Sequence, residues 1–175
     1  MTEPRVPRDR DAGGRPRNAR PRDALGRPLD RFDDSGSGSD SGSGSGEARI
    51  PDDLVLAGPD AVRLADELLR AGRPFHAHEV LEASWKSGPA RERDLWQGLA
   101  QVAVGLTHAR RGNARGAVTL LRRGAERVRG YPLQYGADPA FVAVSADEIA
   151  SRIERDGLAA VPEADLRLVL RPTSS

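Results

Sequence analysis

The residues of this chain best equipped for chemistry lie in two short stretches. In the first, Phe75, His78, Glu79, Glu82 and Trp85 recur at steps of three and four, which on an α-helix places them on one stripe. An imidazole and a carboxylate one turn apart can hydrogen-bond each other or converge on a single metal ion. In the second stretch, Gln97, Gln101 and His108 follow at steps of four and seven, again one stripe of a helix. His78, Glu82 and His108 make up the two-histidine, one-carboxylate set that suits zinc or ferrous iron. With a divalent metal (zinc, iron or manganese) on those three side chains, water would be activated for hydrolysis, and Glu79 is the candidate catalytic base.

The string His78-Glu79-Val80-Leu81-Glu82 stands one residue away from the zinc-protease pattern HExxH. That mechanism needs a second histidine where this chain has Glu82, together with a further ligand downstream. A zinc protease is therefore not expected. His76 points to another part of its helix and reads as a solvated residue or a supporting donor.

Two readings without a metal compete with the hydrolase. Buried polar groups usually satisfy one another, and leaving one unpaired costs about 1 to 3 kcal/mol. His78, Glu82, Gln101 and His108 would then form an internal hydrogen-bonded network, with the indole of Trp85 or Trp96 as a further donor. Alternatively, the same residues line a cleft for a small molecule or a partner protein, with Trp85, Gln97 and Gln101 as binding residues. The metal-free readings require no cofactor.

Two helices must bring these stripes together. The first stripe belongs to a helix predicted over Phe75–Lys86, started by Pro74 and stopped by Ser87-Gly88-Pro89. The second lies on a helix from about Pro89 to Arg111, apolar or small on nearly every side, which marks the centre of a bundle. Its Gly98, Ala100, Ala103 and Gly105 permit close helix approach. Around this pair, Pro59 and Asp60 open a first helix that ends at Gly72, and Asn113 caps a fourth that ends near Gly130. Ser145 and Glu148 read as a capping box for a fifth helix ending at Gly157, with Val144 and Ile149 as its hydrophobic staple. Leu166–Leu170 is compatible with a short strand or a frayed helix. The expected fold is all-α: a compact bundle of about five antiparallel helices over residues 50–157, followed by an extension of uncertain structure over 158–175.

Residues 1–47 have the composition of a disordered arm. Nine Arg balance nine Asp plus Glu there, and Ser35 to Gly46 is a Ser-Gly repeat broken by one Asp. A polyanion-binding arm would carry an excess of positive charge.

The whole 175-residue chain has a formal net charge of +1 and no cysteine. Disulfides and thiolate metal sites are thereby excluded, and a generally basic nucleic-acid binder is not expected. No apolar run reaches the roughly 20 residues of a membrane span, and no secretory signal is visible, so a cytoplasmic protein is expected. One basic run remains: Arg110, Arg111, Arg115, Arg122, Arg123, Arg127 and Arg129 against Glu126 alone. It reads as a solvated face, with a phosphate or RNA surface as the alternative.

Taken in order, FHAHEVLEASWK and WQGLAQVAVGLTHARRGNARGAVTLLRRG resemble the domain-of-unknown-function 309 family over about residues 59–156. The resemblance rests on His78, Glu79, Glu82 and Trp85; on Gln97, Gly98, Leu99 and Gln101; on His108; and on Gly112, Asn113, Gly116 and Ala117. It implies a small all-helical bundle and brings the label of a metal-dependent hydrolase. It implies no particular substrate.

Overall fold

The structure, a computed structural model, describes residues 56–171. Five α-helices account for most of them: α1 (Gly58–Arg70), α2 (Pro74–Ser87), α3 (Arg93–Arg110), α4 (Ala114–Val128) and α5 (Pro139–Asp156). The all-α bundle expected from the sequence is what forms. The expected arm over residues 1–47 lies outside the described residues. None of the described helices is long and apolar enough to cross a membrane.

Local chemistry sets the helix ends. Gly72 and Gly112 adopt φ of +72° and +79°, a left-handed conformation that costs glycine little. Each closes a Schellman turn: Gly72 N–H donates to Leu69 and Arg73 N–H to Leu68, and Gly112 and Asn113 repeat the pattern on Ala109 and His108. Asn113 then caps α4, its side chain accepting from Gly116 N–H at 2.9 Å. Before α3, residues Ala90–Glu92 form a three-residue 3-10 turn, so the α-helix proper starts four residues after Pro89.

α3 is the central element, packed against α2 on one side and α4 on the other, while α5 covers α4 and α1 covers α2. Leu95, Trp96, Leu99, Val102 and Leu106 of α3 are at most 2% exposed, each stabilising the fold by about 1.5 to 3 kcal/mol. The α3–α4 contact is close because it is built on small residues. A Cβ at Gly98 would lie 2.6 Å from Val128 Cγ1, and one at Gly124 would lie 2.8 Å from the Gly98 carbonyl oxygen.

One expectation needs correction. α5 begins at Pro139, six residues before Ser145, with the Asp138 side chain accepting from Phe141 N–H at 3.0 Å. The Asp-Pro pair is itself a cap followed by a pre-set first helical residue, and it outcompetes a capping box inside the helix. Val144, the supposed staple, is 52% exposed. The segment after Gly157 also does more than extend the domain. Val161, Leu166, Leu168 and Leu170 are buried in the same core as the helices. It turns through short 3-10 segments at Leu158–Ala160 and Glu163–Leu166 before running extended. Buried Asp66 of α1 holds its end, accepting from Leu170 N–H at 2.7 Å and Arg171 N–H at 3.3 Å and pairing with Arg70 at 2.8 Å.

Candidate functional site

α2 turns two faces to its surroundings. Ala77, Val80, Leu81 and Ser84 point into the core, while Phe75, His78, Glu79, Glu82 and Trp85 form a half-buried rim. The stripe read from the spacing therefore exists as a physical surface. Within it, His78 Nε2 lies 3.5 Å from Glu82 Oε2, and Glu82 Oε1 takes the Lys86 ammonium at 3.0 Å. Burial pushes the His78 imidazole below the usual histidine range; Glu82 opposes that shift and Lys86 reinforces it. A neutral imidazole carries one proton. The carboxylate beside Nε2 favours the proton there, which leaves Nδ1 as an acceptor.

α3 presents Gln97, Gln101, Val104 and His108 half-buried along its own edge. α2 and α3 run antiparallel, with Gly72 meeting Arg110 at one end and Gly88 meeting Trp96 at the other. At ~1.5 Å per residue, that register puts Gln101 level with Glu82 and Ala83, and His78 one turn further along. Two atoms on this face have no hydrogen-bond partner among the described residues although water cannot reach them: His78 Nδ1 and Gln101 Oε1. Both are acceptors.

His108 has a different occupation. Its Nδ1 accepts from Asn113 Nδ2 at 2.7 Å, while Asn113 Oδ1 caps α4. Gly116 leaves room for the ring, since a Cβ there would lie 2.5 Å from His108 Nδ1. His108, Asn113 and Gly116 are thus parts of one turn. With Nδ1 accepting, the ring proton sits on Nε2, so neither nitrogen offers a lone pair to a metal without breaking the turn. Among the described residues, no group of three or more His, Asp or Glu side chains is placed to hold a metal ion. The arrangement brings His78 to Glu82 and keeps His108 in its own hydrogen-bonded unit.

Other candidates are placed as follows. His76 is 3% exposed and meets the Phe75 ring edge-on, so it is a core residue and not a solvated one. The Trp96 indole donates to Glu92 at 3.3 Å and its ring stacks on Tyr135, away from the His78 stripe. The basic run is largely neutralised by carboxylates from elsewhere in the fold. Arg110 pairs with Glu163, Arg122 with Asp147 and Glu154, Arg127 with Asp94, and Arg129 with Asp147. Arg111 lies over the Phe75 ring, 5.9 Å from its centroid. Sequence reasoning missed buried Asp66 and Glu92. Glu92, 3% exposed, accepts from Trp96 and from Tyr135, whose hydroxyl lies 3.0 Å from both its oxygens. Only the four-residue step from Glu92 to Trp96 hinted at that role.

The chain has recognisable relatives. The sequence model of the family described as a domain of unknown function (DUF309) matches residues 62–120, a span containing both stripes and the Asn113 turn. The uncharacterized protein YpuF of Bacillus subtilis (strain 168) is 46% identical over 48 residues, covering 27% of this chain and 28% of that protein. The matched segment thus spans little more than a quarter of that relative's length. No solved structure matches. The span matched by the DUF309 model runs from α1 through α2 and α3 into α4 and includes the motifs on which the resemblance rests.

Proposed function

We propose that the half-buried face formed by α2 and α3 binds a small molecule, with His78, Glu82 and Gln101 as polar contacts and Phe75 and Trp85 as apolar walls. One observation carries this reading: behind the half-buried rim of α2, His78 Nδ1 and Gln101 Oε1 are unpartnered among the described residues, and a ligand would reach them by displacing rim side chains. A closed internal network would use both atoms, because an unsatisfied buried acceptor costs about 1 to 3 kcal/mol. Such a cost is tolerated where a ligand repays it on binding. Aromatic side chains at both ends of the α2 stripe suit the flat apolar part of such a ligand.

The metal-dependent hydrolase is supported less well. His78 and Glu82 supply two donors, but the third, His108, is held by Asn113, and Glu79 would have no metal-bound water to deprotonate. The described residues do not fit a three-ligand centre. A nucleic-acid surface is also disfavoured, because four of the seven arginines between 110 and 129 are already paired with carboxylates.

The test is chemical-shift mapping of the full chain against a library of small polar fragments. Perturbations gathered on Phe75, His78, Trp85 and Gln101 are expected. Fragments that bind only elsewhere, or none that bind, would remove the reading.

A further inference from the structure

We propose that the exposed apolar patch at the start of α5 is a docking site for residues 25–32 of this same chain. α5 packs on α4, whereas α2 packs on the other side of α3, so the inference does not rest on the binding face above.

The large hydrophobic side chains left exposed among the described residues are Leu133, Phe141 and Val144. All three fall in the short stretch that leads into α5 and forms its first two turns. Exposed apolar side chains gathered in one place mark a contact surface, whereas scattered ones do not. Phe141 and Val144 are three apart and share one face of the helix, which Glu148 continues a turn further. Glu148 is exposed and pairs with none of the described residues. Together with Val144 it lines an open groove of about 540 Å³. The surface thus offers apolar contacts ending in an unpaired negative charge.

Residues 25–32 carry the complement. Leu25, Leu29 and Phe32 are their large apolar side chains, and Arg27 and Arg31 stand among them against Asp30 alone. An apolar segment with a surplus of guanidinium groups suits an apolar face that ends in Glu148. Nearer to α1 the chain has Ile50, Leu54 and Val55, but these flank Asp52 and Asp53 with no basic residue among them. Those carboxylates would meet Glu148 with like charge. A second copy offering the same face would add another Glu148 to the contact.

The tether has the right origin and length. The described chain begins at Leu56, which packs against the core. Gly58 abuts the Tyr135 ring, where a Cβ would lie 2.7 Å away. Tyr135 stands in the loop that runs into α5, and Val144 lies only ~8 Å along that helix from Pro139 at 1.5 Å per residue. The chain therefore enters the bundle one loop away from the patch. Between Phe32 and Leu56, residues 35–46 have a Ser-Gly linker composition. A linker of that kind, over the whole interval from 32 to 56, has an r.m.s. reach of about 25 Å. Such a tether holds a docking segment at roughly millimolar effective concentration, so a few apolar contacts and one ion pair suffice.

The experiment uses the full chain, which has no cysteine, so Ala24→Cys places a single nitroxide label beside the segment. NMR reads the paramagnetic broadening residue by residue. Broadening centred on Leu133, Phe141 and Val144, and unchanged on dilution, is expected. Replacing Leu25, Leu29 and Phe32 together by Ser in the labelled chain should abolish it. Val144→Asp, at an exposed position, should do the same. Glu148→Lys should lower the docked-to-undocked ratio about two- to fivefold. Broadening that is spread evenly, is centred away from α5 or survives the triple substitution would overturn the proposal. If labelled chains broaden Phe141 and Val144 of unlabelled chains in a mixed sample, a second copy holds the patch and the proposal falls.

Discussion

The two sides of α3 solve opposite problems. Towards α4 the helix is lined by glycines and small residues, and backbone approaches backbone so closely that a methyl group at Gly98 or Gly124 has no room. Where that interface ends, the polar groups are satisfied: His108 by Asn113, and Asn113 by Gly116. Towards α2, the same helix leaves a half-open rim of aromatics, amides and charges, with two buried polar atoms unpartnered among the described residues. The α4 side is optimised for the free protein. On the α2 side two buried atoms have no partner among the described residues, and the proposed binding face rests on that difference.

Substitutions on either side can break or sharpen that contrast. The largest effect is expected at Gly124→Ala. Alanine would gain about 1 kcal/mol of helix propensity, but its Cβ would press on Val102 and on the Gly98 carbonyl. A net loss of about 2 kcal/mol or more should appear in urea denaturation. A variant as stable as the parent would mean that α3 and α4 can separate without cost.

Asn113→Ala comes next. Removing the α4 cap should cost about 1 kcal/mol and should also free the His108 ring. Thermal melts measure the first, and NMR of the His108 imidazole nitrogens measures the second. An unchanged ring environment would break the coupling between turn and histidine.

On the α2 side the sign should reverse. Gln101→Leu replaces a buried acceptor that is unpartnered among the described residues with an apolar group and should leave stability unchanged or raise it by up to about 1 kcal/mol, while fragment binding is lost. A clear destabilisation would show that Gln101 already has a structural partner and would favour the internal network.

The smallest effect is the pH dependence of His78. Its folded-state affinity for a proton is lowered, chiefly by burial, so below the ordinary value of about 6.5 the unfolded chain binds the proton more readily. Stability should therefore be fully present above that value and decline as pH falls through the window beneath it. His78→Gln should flatten that part of the profile measured by denaturant titration. An unchanged slope would assign it to other groups.

Much of the fold was legible in the order of residues. Pro74, Gly72, Gly112 and Asn113 carry their own backbone logic, so the start of α2, the end of α1 and the turn into α4 could be read from them. The membership of the half-buried stripe on α2 could be read as well, because residues three and four apart share a helix face in any fold. Where two local signals competed, the reading failed: Ser145 and Glu148 resemble a cap, but Asp138 and Pro139 start the helix earlier. The C-terminal segment was opaque for another reason. Leu168 and Leu170 lie outside any helix, and the end of the segment is held at Leu170 and Arg171 by Asp66, more than a hundred positions away in the chain.

By itself, then, the order of residues determined the helices, the central place of α3 and which side chains share each edge, because helical periodicity is a local property of the backbone. Only the tertiary structure decided which of those polar atoms find partners. That His108 closes a turn while His78 Nδ1 and Gln101 Oε1 find no partner among the described residues depends on how neighbouring helices are rotated and set in register, and no spacing within a single helix specifies that relation.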